Sequence, residues 1–311
     1  MTSLICGSLA FDTIMSFEGR FAEALLADQL HKINVAFLVP ALRREFGGCA
    51  GNIAYNLKLL GGDPLIMATI GQDGSPYLAR LAKQNISIRC IREVSEAFTA
   101  QAFITTDAAN NQITAFHPGA MTVSHQINVA EAGAVKVAII APDGRDGMLQ
   151  HATDCADLKI PFIFDPGQGL PMFSGAELLH FIDLATYVAV NDYEASLLTE
   201  RTGLTVEQLA QRVKALVVTR GENGAEIYVG GDRIDIPVVP AAHVIDPTGC
   251  GDAFRAGMLF GLTHDMDWPT IGRLASLMGS IKIAHQGGQN HAVSRAEIDA
   301  RFAQAFGYKL A

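Results

Sequence analysis

The run Asp246-Pro247-Thr248-Gly249-Cys250-Gly251-Asp252 sets a string of backbone amides and a carboxylate directly ahead of an apolar stretch. Ala253, Phe254, Ala256, Gly257, Met258, Phe260, Gly261 and Leu262 repeat small and apolar types at helical spacing, so the run should open a buried helix. Gly249 and Gly251 leave no side chain between those amides and a ligand, and N–H groups at the positive end of a helix suit phosphoryl oxygens. Asp252, in the first turn, can accept a proton from an attacking hydroxyl, a role that needs cations nearby because its own charge repels phosphate. The same residues also describe an ordinary N-cap with an acidic first turn, and on this run alone both readings stand.

Gly47-Gly48-Cys49-Ala50-Gly51-Asn52 is a second small-residue helix entrance, and its Asn52 amide can donate to one sugar oxygen while accepting from another. Asp12, just beyond the first strand, offers a complementary carboxylate for adjacent hydroxyls; the local alternatives are a cap at Asn52 and a turn held by Asp12. Asn191-Asp192-Tyr193-Glu194 has capping-box spacing, and its oxygens can also orient water around Mg²⁺. Thr219-Arg220-Gly221 and Gly224 follow a strand, where Arg220 either steadies a transferring phosphate or solvates the rim. Phe11 and Phe116 can sandwich an aromatic base or pack in a core, and His117 can meet a base or sugar or simply hold a turn. His285 and His291 flank Gly287-Gly288-Gln289-Asn290, a candidate nucleotide rim without zinc-ligand spacing. Cys49 and Cys250 lie among these glycines but have no neighbouring His, which favours packing over nucleophilic catalysis.

The elements that must position these groups follow an α/β rhythm. A buried strand is expected over Leu4 to Leu9, then an irregular segment to Glu45 with an apolar patch at Val35 to Val39. A helix follows Gly47-Gly48 and stops at Gly61-Gly62, with a strand over Leu65 to Ile70 and a short helix over Pro76 to Ala82. Ala100 to Thr105 and Gln112 to Phe116 flank a polar connection suited to an antiparallel hairpin, which interrupts the rhythm. A second small sheet collecting this hairpin and the early segment would cover one side of a site. From Val135 onward strands and helices alternate again, and the C-terminus adds helices near Ile271 to Ala284 and Arg295 to Phe306.

The 311 residues suit one large α/β domain, and 30 glycines fit many tight turns and close approaches. With 49% hydrophobic and 18% charged residues and no long apolar run, a membrane partner is not expected. A net charge of −9 argues against a nucleic-acid polymer as partner but leaves a nucleotide ligand open. Five scattered cysteines without metal-site spacing read as free thiols, and with no basic region ahead of a long apolar run near Met1 the expected location is the cytoplasm.

Taken in order, these motifs resemble the ribokinase-like, or PfkB, carbohydrate and nucleoside kinase family. Gly47 to Asn52 is similar to its substrate motif, Asp246 to Phe254 to its catalytic signature, Asn191 to Glu194 to its Asn-x-x-Glu element, and Val218 to Gly221 to its nucleotide-binding strand end. The resemblance implies a three-layer α/β/α core with a small β-sheet lid, drawn from about 11–46 and 98–120 of a single domain spanning 1–311. It makes Asp252 the base, and Gly249, Cys250 and Gly251 the anion hole. Asp12, Gly48, Asn52, Phe11, Phe116 and His117 would face the acceptor. Asn191, Thr219, Arg220, Gly221, Gly224 and Gln289 would face ATP, with Asn191 and Glu194 organising Mg²⁺ through water. A K⁺ site is implied at Asp246 and Thr248 and the 284–290 loop. The edges of the lid can pair in a homodimer or be covered within one chain, and both readings stand. Gly-Gly-Cys-Ala-Gly-Asn departs from the Gly-Gly-Lys-Gly-Ala-Asn of ribokinases, and Phe116-His117-Pro118-Gly119-Ala120-Met121 looks more like bacterial adenosine or broad nucleoside kinases. The expected acceptor is therefore a purine nucleoside such as adenosine, with inosine, guanosine and cytidine in range. A free-sugar kinase acting on ribose, fructose or a related sugar is the second reading, and a noncatalytic nucleotide or nucleoside sensor the third.

Overall fold

The computed structural model describes residues 1–24 and 34–310. Thirteen strands run in chain order as β1 Thr2–Cys6, β2 Ala10–Ser16, β3 Ala41–Gly47, β4 Asp63–Gly71, β5 Ser87–Val94, β6 Ala100–Thr106, β7 Gln112–His117, β8 Val137–Ile140, β9 Phe162–Phe164, β10 Tyr187–Asn191, β11 Ala215–Thr219, β12 Ala225–Val229 and β13 Asp232–Ile236 among the described residues. The α-helices are α1 Phe21–Ala24, α2 Cys49–Leu59, α3 Ser75–Lys83, α4 Arg145–Asp157, α5 Gly175–Leu184, α6 Asp192–Thr202, α7 Val206–Ala210, α8 Cys250–Thr263, α9 Trp268–Ile283 and α10 Arg295–Phe306. No helix of the described residues is long and apolar enough to cross a membrane.

Nine strands form one mixed sheet in the order β13-β12-β11-β10-β9-β8-β1-β4-β5, parallel from β11 to β5 and antiparallel at the β12 and β13 edge. The period of two along its strands sorts side chains into two cores. Ile5, Ile66, Ile139 and Val217 face one, with apolar residues of α2, α8, α9 and α10. Leu4, Met67, Ile140 and Val218 face the other, with residues of α4, α5 and α6. Helices thus cover both faces, giving the three-layer α/β/α core. Strand order reverses between β1 and β8, and the C-terminal strand ends beside such a reversal are where open α/β sheets bind ligands.

The second sheet has the order β3-β2-β6-β7, joining the early segment to the hairpin at Ala100 to His117. Its register fixes which side chains share a face. Asp12 lies opposite both Glu45 and Ala102, and Ala102 opposite Phe116, so these four point one way. Phe11, Phe46, Gln101 and His117 point the other way.

Several sequence expectations need correction. The strand expected over Leu4 to Leu9 ends at Cys6, and the chain turns through Gly7 and Ser8, whose N–H bonds the Pro142 carbonyl, before entering β2 in the other sheet. The segment to Glu45, expected to be irregular, supplies β2 and most of β3; the part at 25–33 lies outside the described residues. The edge strand β5 carried no readable signal, because its Arg89, Arg92 and Glu93 are solvated and only Cys90 is buried.

Candidate active site

Both Gly-rich runs open helices that point toward each other's side chains. Gly48 caps α2 at φ 85° and Gly249 caps α8 at φ 78°, left-handed backbone that a side chain would strain. Neither capping glycine supplies a side-chain cap. At α2 the Cys49 and Ala50 amides donate to Ser8 Oγ at 3.2 Å and the Ser8 carbonyl at 3.0 Å. At α8 the Cys250 amide donates to the Pro247 carbonyl at 3.1 Å, which leaves the Gly251 amide for another partner. Gly251 lies within α8 and is exposed, with open space where a Cβ would stand.

Asp252, in the first turn of α8, accepts a 2.8 Å hydrogen bond from Asn52 Nδ2 in α2. Asn52 Oδ1 in turn accepts from Gln289 Nε2 at 3.1 Å, and the same Nε2 donates to Tyr77 Oη at 2.8 Å. Tyr77 Oη donates onward to the Gly47 carbonyl at 2.7 Å, which returns the chain of bonds to the α2 entrance. Donors and acceptors alternate along this chain, which fixes the Asn52 amide and aims its nitrogen at the carboxylate. Asn52 therefore holds Asp252, where the sequence suggested a free amide for sugar oxygens. Gln289, expected on a nucleotide rim, is 2% exposed and lies beneath Asn52. Burial pushes the half-buried Asp252 carboxyl up to about 7; Asp165 adds to the rise, while Asn52 and Arg255 oppose it.

Under this entrance lies an ion pair that no sequence motif revealed. Arg255, one turn along α8, reaches Asp165 after β9 with Nε–Oδ2 3.2 Å and Nη2–Oδ1 3.3 Å. Both residues are buried, and Arg255 Nη1 has no hydrogen-bond partner. Burial opposes the guanidinium charge, but Asp165 and Glu194 outweigh it and hold Arg255 protonated. The readable signal was one Arg inside an otherwise apolar helical run, since a charge there must find a partner.

Asn191 and Glu194 form the capping box of α6: Asn191 Oδ1 accepts from the Glu194 N–H and Glu194 Oε2 from the Asn191 N–H, each at 2.8 Å. Burial raises the Glu194 carboxyl, helped by Asp165 and opposed by Arg255, which places Glu194 in the field of the same buried pair. Register sets Asn191 beside Thr219 at the C-terminal ends of β10 and β11. Arg220 is held to Glu226 at 2.8 Å and Asp235 at 3.8 Å, so it braces the β12 and β13 edge in this structure. Gly221 begins a short 3-10 turn that Gly224 ends at φ 80°, where a Cβ would strike the Ile236 carbonyl.

On the small sheet, the Asp12 carboxyl is pushed up to about 6 by burial, by Glu45 beside it and by Asp246 across the site. Phe116 shares the Asp12 face and is 50% exposed, whereas Phe11 is buried on the opposite face against Phe46, Tyr77 and Arg44. The register rules out a base held between Phe11 and Phe116, because the sheet backbone separates them. His117 is exposed on the face away from Asp12 and is likewise not brought to it. Burial raises both the Cys49 thiol and the Cys250 thiol, the latter to about 11, so neither is an activated nucleophile.

Among the described residues no three His, Cys, Asp or Glu side chains come together as a metal cage. The Asn191 and Glu194 oxygens at the strand ends suit a cation held mainly by phosphate and water, as Mg²⁺ is. The Asp246 oxygens do not suit K⁺. The Asp246 Oδ1 accepts from the Thr248 N–H at 2.9 Å and its Oδ2 from the Gly287 N–H at 2.8 Å, while its carbonyl accepts from Lys282 Nζ at 2.7 Å.

Comparison with known proteins follows the same outline. The model of the family described as "pfkB family carbohydrate kinase" matches residues 21–295. A nucleoside kinase of Methanocaldococcus jannaschii is 31% identical over 294 residues, covering 94% of this chain and 93% of that protein. The structure of Burkholderia thailandensis nucleoside kinase in complex with inosine superposes with a TM-score of 0.90 at 58% identity, covering 99% of each chain. Its complex with ADP-inosine gives a TM-score of 0.87 at 59% identity, covering 99% of this chain and 97% of that one.

Proposed function

The chain belongs to the pfkB carbohydrate kinase family and is a phosphotransferase of that family, and from that premise we propose that it transfers the γ-phosphate of ATP to the 5′-hydroxyl of a purine nucleoside. The observation that carries the transfer step is the Asp252 carboxylate, held by Asn52 at the open entrance of α8. A carboxyl raised to about 7 is matched to accepting a hydroxyl proton near neutral pH. The nucleoside acceptor is supported by the likeness to nucleoside kinases, one of them solved with inosine.

In this reading Asp12 accepts hydrogen bonds from the ribose hydroxyls and turns the 5′-oxygen toward Asp252. As the proton moves to Asp252, the 5′-oxygen forms a bond to the γ-phosphorus, and the bond to the β–γ bridging oxygen breaks to release ADP. The Gly249 and Gly251 amides receive the transferred phosphoryl oxygens, whereas the Cys250 N–H, expected in the same hole, is taken by the Pro247 carbonyl at 3.1 Å. ATP lies along the strand ends at Asn191, Thr219, Gly221 and Gly224. Glu194 and Asn191 would hold Mg²⁺ through water, and the ion would supply charge neutralisation of the phosphates. The small sheet acts as a lid whose Asp12 and Phe116 face lies over the acceptor and limits access by water. Arg255 and Asp165 hold the floor beneath the base without touching substrate.

Incubating the protein with ATP and Mg²⁺ and a panel of nucleosides and free sugars, with product mass and phosphate position determined, tests the proposal. Inosine and adenosine 5′-monophosphates are expected. Turnover of ribose or fructose with no nucleoside product would replace this reading with a sugar kinase.

A further inference from the structure

The C-terminal end of α9 carries a lysine that the transfer step leaves unexplained. Lys282, between Ile281 and Ile283, is 0% exposed. Its Nζ donates to two backbone carbonyls, Asp246 at 2.7 Å and His285 at 3.0 Å. Asp246 opens the run that ends in the Gly249 to Gly251 amides. His285 opens the loop that carries Gln289, which bonds Asn52, and Asn290, whose Nδ2 donates to Glu45 of the small sheet at 2.7 Å. Further bonds tie these segments: Gly287 N–H to Asp246 Oδ2 at 2.8 Å, and Ile245 and Asp246 N–H to the Ile283 carbonyl at 2.9 and 3.2 Å. The Lys282 ammonium therefore sits where the anion-hole run meets the loop that reaches both the base and the small sheet.

A single positive charge among carbonyl oxygens, with no carboxylate in contact, is the environment of a bound monovalent cation, here provided by a side chain. Burial weakens the hold of Lys282 on its proton, while Cys250, Asp246 and Asp252 strengthen it. The ammonium has three donors, and two of them meet these carbonyls. Potassium, expected in this region from the resemblance, would have to compete with Lys282 Nζ for the same oxygens.

We infer that Lys282 is a tethered monovalent cation: its ammonium takes the place of K⁺ in holding the Asp246 run against the 284–290 loop, positions the Gly249 to Gly251 amides, and makes turnover independent of dissolved K⁺. It is a positioning residue, acting through the backbone it holds. The kinetic consequence rests on the kinase reading above; the structural one does not.

The first test compares wild-type turnover of inosine, with ATP and Mg²⁺, in potassium chloride and choline chloride at equal ionic strength. Rates are expected to agree within about twofold, and activation by K⁺ of about tenfold or more overturns the inference. The second uses Lys282→Met, which keeps a long stem and removes the charge. In choline its kcat should fall about 100-fold with little change in nucleoside KM, the loss expected when phosphate donors are misplaced. Potassium or ammonium ions should restore part of that loss and should raise the melting temperature of the variant, while leaving the wild-type melting temperature unchanged. Wild-type-like turnover of the variant in choline, or a folded variant that no cation rescues or stabilises, overturns the inference. If Lys282→Met yields no folded protein, the wild-type salt comparison decides alone. Absence of wild-type turnover in both salts counts against the kinase reading, and the melting shifts then judge Lys282 separately.

Discussion

The two helix entrances and the small sheet that faces them are built in opposite ways. At the entrances, Asp252, Asn52, Gln289 and Tyr77 form one continuous chain of hydrogen bonds over a buried Arg255–Asp165 pair. On the small sheet, every residue of β7 is exposed, and Leu42, Phe103, Ile113 and Phe116 leave large apolar surface in solvent. Groups that stabilise a developing charge work best when already fixed, because reorganisation at the moment of reaction raises the barrier. Groups that receive varied acceptors gain from a loosely packed, partly open surface. On this contrast we propose that phosphoryl transfer belongs to the layered core and acceptor choice to the small sheet.

Asp252→Asn should break this division most sharply: it retains the shape of the side chain but cannot take the proton, so kcat should fall by about 10³-fold in steady-state assays. Arg255→Met should act on the same region through stability. Leaving Asp165 buried without its partner should cost about 3–5 kcal/mol, visible in denaturant unfolding, and Asp165→Asn in the same chain should recover part of the loss. Asn52→Ala removes the hydrogen bond that favours ionised Asp252, so the acid limb of the rate profile should move to higher pH, with about a tenfold loss at neutral pH. Phe116→Ala, on the half-exposed face, should raise nucleoside KM only about threefold with kcat unchanged.

Wild-type pH dependence separates the regions further. Asp252 must be ionised to accept a proton and Asp12 must be ionised to accept hydrogen bonds from both hydroxyls, with carboxyls raised to about 7 and about 6. Both lose their protons as pH rises, so kcat/KM for the nucleoside should climb through that window and level above it. The kcat profile, taken with acceptor saturating, should follow Asp252.

Legibility in the sequence divides along the same line. The helix entrances, the Asn191 to Glu194 box and the alternation of strands and helices were readable because each has a short-range cause: a capping spacing, a glycine at a positive φ, a period of two or 3.6. The face assignments of Phe11 and Phe116 were not, since they depend on the register of four strands drawn from distant segments. Gln289 read as a rim residue because its glycine neighbours suggest a surface loop, yet Asn52 and Tyr77 draw its amide inward. Arg255 and Lys282 were visible only as single charges inside apolar helical runs. Such charges announce that a buried partner exists, while the partners, Asp165 and the Asp246 and His285 carbonyls, lie far away or in backbone that sequence pattern does not position.

The central claim is most directly tested by measuring inosine binding to Asp252→Asn and Asp12→Asn side by side, by calorimetry, against turnover of the same samples at saturating inosine. The account predicts that Asp252→Asn binds inosine within about threefold of wild type yet barely turns over. Asp12→Asn should bind about tenfold or more weakly while retaining most of its kcat. Loss of binding in Asp252→Asn together with normal binding in Asp12→Asn would contradict the division between the two regions.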